Sequence, residues 1–318
     1  MQKLSRGLLI GLIFGAIVLV ACGQASPTPA PTQAPTQALL TETPPPPTSP
    51  PPVETEASPT AVMEKAPPPS QGSVPAQAQE IEFQADDGQT LKGRYYPAAA
   101  NPAPLVVLMH WAPGDQNEWN AIAPWLQNRG QAATSRGNPW LDASWFPPML
   151  EGQSFAVFTF TFRNCEGGCI SFDRAHWLLD AQAAMRKAHE LEGVDPKRIV
   201  AVGASIGSDG AADGCTWLNG QFPDACLGAF SLSPGDYLTV PYKDAVSALG
   251  AEQPPKPAWC LYSEGDSESV RACEAASGNN YRSIKYAGDN HGMYILQPDV
   301  KPSALQLMLD FLKLAFGL

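Results

Sequence analysis

Short hydrophobic runs alternate with longer amphipathic stretches from Glu80 to the end of the chain. Residues 104–109 form a continuous apolar run, which predicts a strand buried on both faces. Residues 155–162 are rich in β-branched and aromatic side chains and predict another strand. Residues 172–192 carry apolar side chains at helical spacing and predict a long amphipathic helix. Further strands are predicted at 81–85, 90–96, 198–203, 227–232, 258–262 and 281–286, and further helices at 118–126, 208–218 and 303–316, the last of them capped by Ser303.

This order of elements predicts an α/β fold. Asp86-Asp87-Gly88 lies between the first two strands and is typical of a hairpin turn. Beyond the hairpin, strands and helices alternate, which favours right-handed crossovers and a mostly parallel sheet with helices on both faces. Ligands of such sheets bind at the carboxyl ends of the strands. Functional residues are therefore expected directly after predicted strands.

The first 21 residues have the pattern of an export signal. Lys3 and Arg6 precede an apolar run at 8–20, and this run is shorter than the roughly 20 residues that span a bilayer. Leu19-Val20-Ala21-Cys22 resembles the lipobox of bacterial lipoproteins. The resemblance implies that residues 1–21 are removed and that Cys22 is lipidated, so that the protein is exported and anchored to a membrane of the bacterial cell envelope. The alternative is an uncleaved or conventionally cleaved signal in which Cys22 has no role.

Residues 22–79 form a second compositional segment, built mainly from Pro, Thr, Ala, Ser and Gln. Such a segment has too little apolar surface to offset the entropy of ordering, and its prolines favour extended conformations. We interpret it as a disordered tether. Residues 80–318, about 240 in number, then suit one large α/β domain with a substantial core.

Charge and cysteine content exclude some partners. The net charge is −11 and basic residues form no cluster, so nucleic acid is not expected as a partner, and we expect a monomer. Six cysteines remain besides Cys22, and an even number in an exported domain predicts disulfides. Fifteen pairings are possible; pairing between sequence neighbours is our expectation, although a metal site is the alternative. The expected pairs are Cys165–Cys169, Cys215–Cys226 and Cys260–Cys273.

A candidate nucleophile lies at Ser205. Residues 203–207 read Gly-Ala-Ser-Ile-Gly, the pattern G-x-S-x-G, between a predicted strand and a predicted helix. A sharp strand-to-helix turn brings neighbouring backbone close together, so bulky side chains at Gly203 or Gly207 would clash. The turn presents the serine hydroxyl at the helix N-terminus, where the helix dipole favours developing negative charge.

A serine hydroxyl needs a base, and of the four histidines only His291 follows Ser205 in the order nucleophile, acid, histidine. His291 also lies directly after the last predicted strand. Asp266 is the expected acid, because it follows the strand at 258–262 and lies between the other two residues. Glu264 and Asp236 are the alternatives.

Residues 80–318 resemble α/β-hydrolases of the dienelactone hydrolase-like and acyl-esterase group. The resemblance lies in Asp86–Gly93, His110-Trp111, Phe162-Arg163-Asn164, Val194–Ile199 leading into Gly203–Gly207, Asp266 and His291. It implies an α/β-hydrolase fold with a mostly parallel central sheet. Dienelactone hydrolases proper use a cysteine nucleophile, so Ser205 favours a plain esterase instead.

The resemblance also implies an oxyanion hole made by the backbone N–H groups of Ile206 and Trp111. His110 and Trp111 occupy the place of the His-Gly-rich loop of lipases and esterases, with Trp111 where a glycine is usual, and both are expected to line the substrate pocket. Residues 131–153 are longer than an ordinary loop and contain Trp140 and Trp145. Their aromatic side chains either bind an apolar part of the substrate or cover the core.

The sequence thus predicts a serine hydrolase that cleaves carboxylic esters through an acyl-enzyme, with no metal or organic cofactor. A peptidase or thioesterase using the same three residues is one alternative. The other is a binding lipoprotein of the cell envelope that kept the fold without the chemistry. A small or oligomeric ester is the expected partner, besides the membrane bound through Cys22.

Overall fold

The computed structural model describes residues 75–133, 138 and 140–318. The predicted signal, Cys22 and residues 22–74 of the predicted tether lie outside the described residues. The strands are β1 (Gln79–Gln84), β2 (Thr90–Tyr96), β3 (Ala103–Met109), β4 (Ala156–Thr161), β5 (Val194–Ala204), β6 (Cys226–Leu232), β7 (Ala258–Ser263) and β8 (Tyr281–Tyr286). The α-helices of the described residues are α1 (Ile122–Gln127), α2 (Arg174–Glu190), α3 (Ile206–Gln221), α4 (Tyr242–Ala251), α5 (Ser267–Ala275) and α6 (Ala304–Phe316).

The strands form one eight-stranded sheet in the order β1-β2-β4-β3-β5-β6-β7-β8. The β1–β2 and β2–β4 pairs are antiparallel, and every pair from β4–β3 to β7–β8 is parallel. The carboxyl ends of β3 to β8 therefore meet at one edge of the sheet, where the loops that follow them can share a site.

Hydrophobic cores lie on both faces of the sheet. Leu105 and Val107 of β3 belong to the core on one face, and the alternate residues Val106 and Leu108 belong to the core on the other. Buried residues of α2, α3, α4 and α5 contribute to the first core, and those of α1 and α6 contribute to the second. Burial on both faces explains why the central strands are continuous apolar runs.

Most predicted elements are found, with local differences. The predicted hairpin joins β1 to β2, and Ser303 caps α6 by accepting a hydrogen bond from the Gln306 N–H at 3.4 Å. The helix expected at 118–126 is instead a 3-10 turn at Gln116–Trp119 followed by the short helix α1. Strand β5 begins before the expected position 198, and its pairing with β3 shifts register over the added residues, which is where a strand tolerates Pro196. Helices α4 and α5 were not predicted.

The six cysteines of the domain lie in the three expected pairs, with Cα–Cα distances of 3.7 Å for Cys165–Cys169, 5.3 Å for Cys215–Cys226 and 6.1 Å for Cys260–Cys273. In the described part of the chain, no helix has the length and apolar character that crossing a membrane requires. No cluster of three or more His, Cys, Asp or Glu side chains in that part is arranged to hold a metal ion.

Candidate active site

Ser205 occupies a strained turn between β5 and α3. Its backbone angles are φ 53° and ψ −118°, a region that non-glycine residues rarely adopt. A Cβ atom on Gly203 would overlap the carbonyl oxygen of Gly207, and one on Gly207 would overlap the carbonyl oxygen of Met109 and lie 2.7 Å from that of His110. The glycines of the G-x-S-x-G pattern are therefore required by close backbone approach, as the sequence predicts. Such strain is typical of functional sites, because ordinary packing would not maintain it.

Two hydrogen bonds hold this turn against the neighbouring strand. The Ser205 N–H donates to the Leu232 carbonyl at the end of β6 at 2.8 Å. The Ser208 hydroxyl lies 2.6 Å from the same carbonyl oxygen and 2.9 Å from that of Gly203. Ser205 is buried, with 5% of the residue exposed, so a ligand can reach it only through a small opening.

His291 and Asp266 are brought together by the loops after β8 and β7. The Nδ1 atom of His291 lies 2.6 Å from Oδ2 of Asp266. Asp266 also accepts a hydrogen bond from the Ser269 hydroxyl at 2.6 Å, at the start of α5. Burial by itself would raise the pKa of Asp266, but the hydrogen bonds from His291 and Ser269 outweigh it, so the pKa lies below the usual value. Asp266 is therefore an ionised acceptor that fixes the proton of His291 on Nδ1 and leaves Nε2 free to act as a base.

The backbone next to His291 passes beside Ser205. The Gly292 N–H donates to the Ser233 hydroxyl at 2.9 Å, and the Ser263 hydroxyl donates to the carbonyl of Asn290 at 2.7 Å. A Cβ atom on Gly292, which has φ +57°, would lie 3.7 Å from the Cβ atom of Ser205 and 3.0 Å from the Trp111 ring. The His291 loop, Ser205 and Trp111 therefore meet at the same edge of the sheet.

The alternative acids have other partners. Asp236 accepts a hydrogen bond from the Tyr242 N–H at 2.7 Å and so stabilises the start of α4. Glu264 has an exposed side chain, and its backbone N–H donates to the Tyr286 carbonyl. Of the three candidate acids, Asp266 is the one that contacts His291.

The two expected oxyanion donors, Ile206 and Trp111, both lie close to the Ser205 turn. Ile206 is the first residue of α3, so its N–H has no acceptor within the helix. Trp111 lies in the loop that follows β3, and its indole N–H donates to Glu118 at 3.0 Å. Burial is the largest influence on Glu118 and raises its pKa. The participation of both backbone N–H groups in an oxyanion hole stays a prediction.

His110 has a different environment from the one expected for a pocket residue. Its ring is fully buried, and its Nε2 atom accepts a hydrogen bond from the Phe162 N–H at 3.0 Å, so the proton is on Nδ1. Nδ1 in turn donates to the Trp111 carbonyl at 2.7 Å. Burial lowers the pKa of His110 to about 4, which keeps the ring neutral. His110 thus links the loops after β3 and β4 beneath the site and does not face a substrate.

An aromatic wall lies on one side of the site. It consists of Trp111, Trp140 and Tyr294, and the Tyr294 ring lies 5.0 Å from both tryptophan rings. The Trp111 and Trp140 rings are 6.4 Å apart. Trp145, by contrast, is half-buried against the hydrophobic core. Tyr294 was missed in the sequence, because it lies in a 3-10 turn whose role depends on packing against distant tryptophans.

The segment 131–153 combines the two roles that the sequence left open. Trp140 joins the aromatic wall next to Trp111. Phe146 instead packs against Trp125 with ring centroids 5.4 Å apart, and the Trp125 indole N–H donates to the Pro147 carbonyl at 3.0 Å. The described part of the segment therefore covers α1 and also lines the site. Residues 134–137 and 139 lie outside the described part.

A pair of buried carboxylates, also missed in the sequence, lies on α3. Oδ2 of Asp209 accepts hydrogen bonds from the N–H groups of Tyr237 at 2.8 Å and Gly235 at 3.4 Å. Burial raises the pKa of Asp209 to about 7 and raises that of Asp213 as well. The Tyr237 ring lies 6.1 Å from the His291 ring, so Asp209 helps to position a neighbour of the candidate base.

The strand order, the two helical layers and the turn at Ser205 define an α/β-hydrolase fold, and solved structures agree. EstE1, a thermophilic and thermostable carboxylesterase cloned from a metagenomic library, superposes with a TM-score of 0.55 at 18% identity, covering 77% of this chain and 91% of its own. An esterase of Pyrococcus furiosus gives 0.52 at 14% identity, covering 76% and 92%. The α/β hydrolase GrgF from Penicillium sp. sh18 gives 0.52 at 14% identity, covering 76% and 100%. At these identities the likeness establishes the fold.

Sequence comparisons give a partial match. The uncharacterized protein YfhR of Escherichia coli (strain K12) is 30% identical over 142 residues, which is 45% of this chain and 43% of YfhR. YfhR of Escherichia coli O157:H7 is 30% identical over 136 residues, 43% of this chain and 41% of the relative. The chain thus spans less than half the length of the curated relatives that it matches. No family model matches the sequence.

Proposed function

We propose that this chain is a serine hydrolase that cleaves carboxylic esters, with Ser205 as nucleophile, His291 as base and Asp266 as orienting acid. One observation carries the proposal. His291 is bound through Nδ1 to Asp266 at 2.6 Å, in a loop whose backbone packs beside the strained Ser205 turn. A nucleophile, a base and a group that orients the base are the requirements of acyl transfer through serine.

The reaction proceeds in two steps. His291 accepts the Ser205 proton on Nε2 as the serine oxygen attacks the ester carbonyl, and the negative oxygen of the tetrahedral intermediate accepts hydrogen bonds from the Trp111 and Ile206 N–H groups. His291 then donates the proton to the alcohol oxygen, the bond between the carbonyl carbon and that oxygen breaks, and the acyl group remains on Ser205. Water, activated by the same histidine, attacks the acyl-enzyme and releases the acid.

We favour carboxylic esters as the substrate class for two reasons. Structural neighbours with the same fold include a carboxylesterase and an esterase. The aromatic wall of Trp111, Trp140 and Tyr294 also offers an apolar surface next to the nucleophile, which suits the organic group of an ester.

The test is mass spectrometry of the full chain after exposure to a fluorophosphonate. Wild-type protein is expected to gain one phosphonyl group on Ser205, and Ser205→Ala to gain none. His291→Ala should label far more slowly, because the serine loses its base. His189→Ala is the matched control: His189 stacks on Phe222 at 4.1 Å on α2 and should not change the labelling rate. A folded wild-type chain that takes no label would refute the proposal.

The proposed location is the bacterial cell envelope, where the exported domain is anchored to a membrane through lipidated Cys22. The apolar run ending at Cys22 and the Pro-rich residues that follow support this proposal. Full-length protein from bacterial cells should partition with membranes and carry an acylated N-terminal Cys22 in mass spectra. Cys22→Ala should lack the acyl groups and keep residues 1–21 in its mass spectrum. A wild-type chain whose mass spectrum shows no acylated Cys22 would refute lipid anchoring.

A further inference from the structure

The loop between β4 and α2 exposes two large apolar side chains, Ile170 and Phe172, and Tyr237 lies between Phe172 and the candidate base His291. We define the specificity loop as residues 165–173. Ile170 is 86% exposed and Phe172 is 61% exposed, the largest exposed fractions among the large hydrophobic residues of the described chain. Exposed apolar area is unfavourable relative to buried area. Neighbouring exposed apolar side chains beside a site often mark a surface that a ligand covers.

The specificity loop is rigidly held. Its first residues are closed by the Cys165–Cys169 disulfide, and the Ile170 N–H donates to the Asn164 carbonyl at 3.1 Å. The Cys169 N–H donates to the Ala112 carbonyl at 2.7 Å, in the loop that carries Trp111. Ile170 and Phe172 are therefore displayed from a fixed backbone, which lowers the entropy cost of binding a ligand.

The specificity loop contacts two neighbours of the candidate active site, the Trp111 loop and Tyr237. At its middle the Cys169 N–H donates to the carbonyl of Ala112, which follows the proposed oxyanion donor Trp111. At its end the Phe172 ring lies 6.1 Å from the Tyr237 ring, which in turn lies 6.1 Å from the His291 ring. The loop thus extends from the oxyanion side of the site to the base side. An ester carbonyl carries two organic groups, and the described residues near the site include two sets of apolar side chains, the aromatic wall and the exposed pair Ile170 and Phe172.

The charges near the specificity loop disfavour an anionic substrate. Arg163 pairs with Asp87 at 2.5 Å and with Asp180 at 2.6 Å. Arg174 donates to the carbonyls of Asp236 at 2.6 Å and Leu238 at 2.7 Å. The charge of Arg163 is thus compensated by two carboxylates, whereas Arg174 keeps its charge but has its donors directed at backbone carbonyls. Glu166 within the loop and Asp266 beside His291 add negative charge to the surroundings. An uncharged organic group fits this environment better than a carboxylate.

We propose that the substrate is an ester with a bulky, uncharged apolar group, and that this group packs on Phe172 and Ile170 of the specificity loop. The proposal rests on the proposed function, because it places the ester carbonyl at Ser205. Binding such a group covers apolar side chains that water otherwise surrounds. Truncating Phe172 or Ile170 should therefore weaken the binding of large esters and leave small esters, which do not reach these side chains, almost unaffected. Phe172 and Ile170 thereby determine specificity without taking part in bond breaking.

The test compares esters of different size on the full chain. One series holds 4-nitrophenol constant and extends the acyl group from acetate to octanoate. The other holds acetate constant and enlarges the alcohol from methyl to naphthylmethyl, so that every leaving group is an alkyl alcohol. Wild-type kcat/KM should rise with size in at least one series. Phe172→Ala and Ile170→Ser should lower kcat/KM for the largest ester of that series about tenfold, mainly through KM, and change acetate or methyl esters less than about twofold. Phe222→Ala, which truncates an exposed phenylalanine stacked on His189, is the matched control and should change neither.

The outcomes separate the two proposals. A wild-type chain that hydrolyses no ester and takes no fluorophosphonate refutes the proposed function itself. An active wild type whose size preference is absent in both series, or is kept in both loop variants, overturns the role of the specificity loop and leaves the nucleophile assignment intact. A loss in Phe222→Ala equal to that in Phe172→Ala also overturns it, because the effect would then not depend on the position next to the site.

Discussion

Removing the Cys165–Cys169 disulfide is expected to lower kcat strongly while lowering the free energy of unfolding less than removal of another bridge does. The change is Cys165→Ala together with Cys169→Ala. The two cysteines are 4 positions apart, so the bridge closes a very short loop in the unfolded chain. Loop-closure entropy for such a length corresponds to about 2 kcal/mol at 25 °C. The Cys215–Cys226 bridge spans 11 positions, and the same relation gives about 3 kcal/mol. The second bridge should therefore matter more for stability.

The effect on kcat should be in the opposite order: loss of the Cys165–Cys169 bridge should lower kcat more than loss of the Cys215–Cys226 bridge. The Cys165–Cys169 loop is bonded to the Trp111 loop through the Cys169 N–H and the Ala112 carbonyl at 2.7 Å, and through the Gly167 N–H and Asp115 at 2.9 Å. Without the bridge these bonds loosen, and with them the position of the Trp111 N–H. Complete loss of one oxyanion donor typically costs about 10²–10³ in kcat, so partial displacement should cost about tenfold or more.

The assay measures both quantities on the same preparations. Thermal unfolding gives Tm, and hydrolysis of 4-nitrophenyl acetate below the lowest Tm gives kcat and KM. The matched control is Cys215→Ala together with Cys226→Ala, which removes a bridge between α3 and β6 whose two cysteines are fully buried. The control should lower Tm further than the first variant and leave kcat within about threefold. If kcat instead falls in proportion to the loss of stability in both variants, the disulfide loop does not position the oxyanion donor.

Three further predictions concern glycine packing, the acid and the buried carboxylate. Gly207→Ala should lower kcat at least about 100-fold, because its Cβ overlaps the Met109 carbonyl, whereas Gly220→Ala, whose added Cβ has no neighbour within 4 Å, should not. Asp266→Asn should slow fluorophosphonate labelling by about 10³–10⁴, and equal slowing in Asp236→Asn would contradict the assignment of the acid. The folded pKa of Asp209, about 7, exceeds the 3.8 of a free carboxyl, so the folded chain holds the extra proton and stability falls as the pH rises between these values. An asparagine side chain cannot ionise, so Asp209→Asn should not lose stability as the pH rises. Urea unfolding at pH 8 should therefore give the variant a free energy of unfolding about 1 kcal/mol or more above that of wild type, and the difference should be smaller at pH 4.

The centre of the sheet was predictable because its strands are buried on both faces. Strand β3 is a continuous apolar run and β5 is buried from Ile199 to Ala204, a pattern typical of central parallel strands, and alternation with helices favours the parallel order. Helix α5 was missed because it spans only Ser267–Ala275 and buries few of its side chains. A short helix with a narrow apolar face differs little from a polar loop in the sequence.

Ser205, Asp266 and His291 were predicted from their order along the chain and from their positions directly after predicted strands, and both can be deduced from the sequence. Its surroundings depend on which loops meet above the sheet. Tyr294 contacts Trp111, and Phe172 contacts Tyr237, across large separations in the chain. No local pattern encodes such contacts, because each aromatic residue alone is equally compatible with core packing. The buried position of His110 was missed for the same reason, since its two hydrogen-bond partners come from different loops.

The position of Asp209 connects the stability of the fold to the chemistry proposed for Ser205. Asp209 lies in the first turn of α3, the helix whose N-terminus faces the oxyanion in the proposed mechanism. An ionised carboxylate there interacts favourably with the helix dipole but opposes negative charge that develops on the oxyanion. Burial favours the neutral form and raises the pKa of Asp209 to about 7, so folding and transition-state stabilisation favour the same protonation state. The hydrogen bond from the Tyr237 N–H needs only an acceptor oxygen and persists in either state.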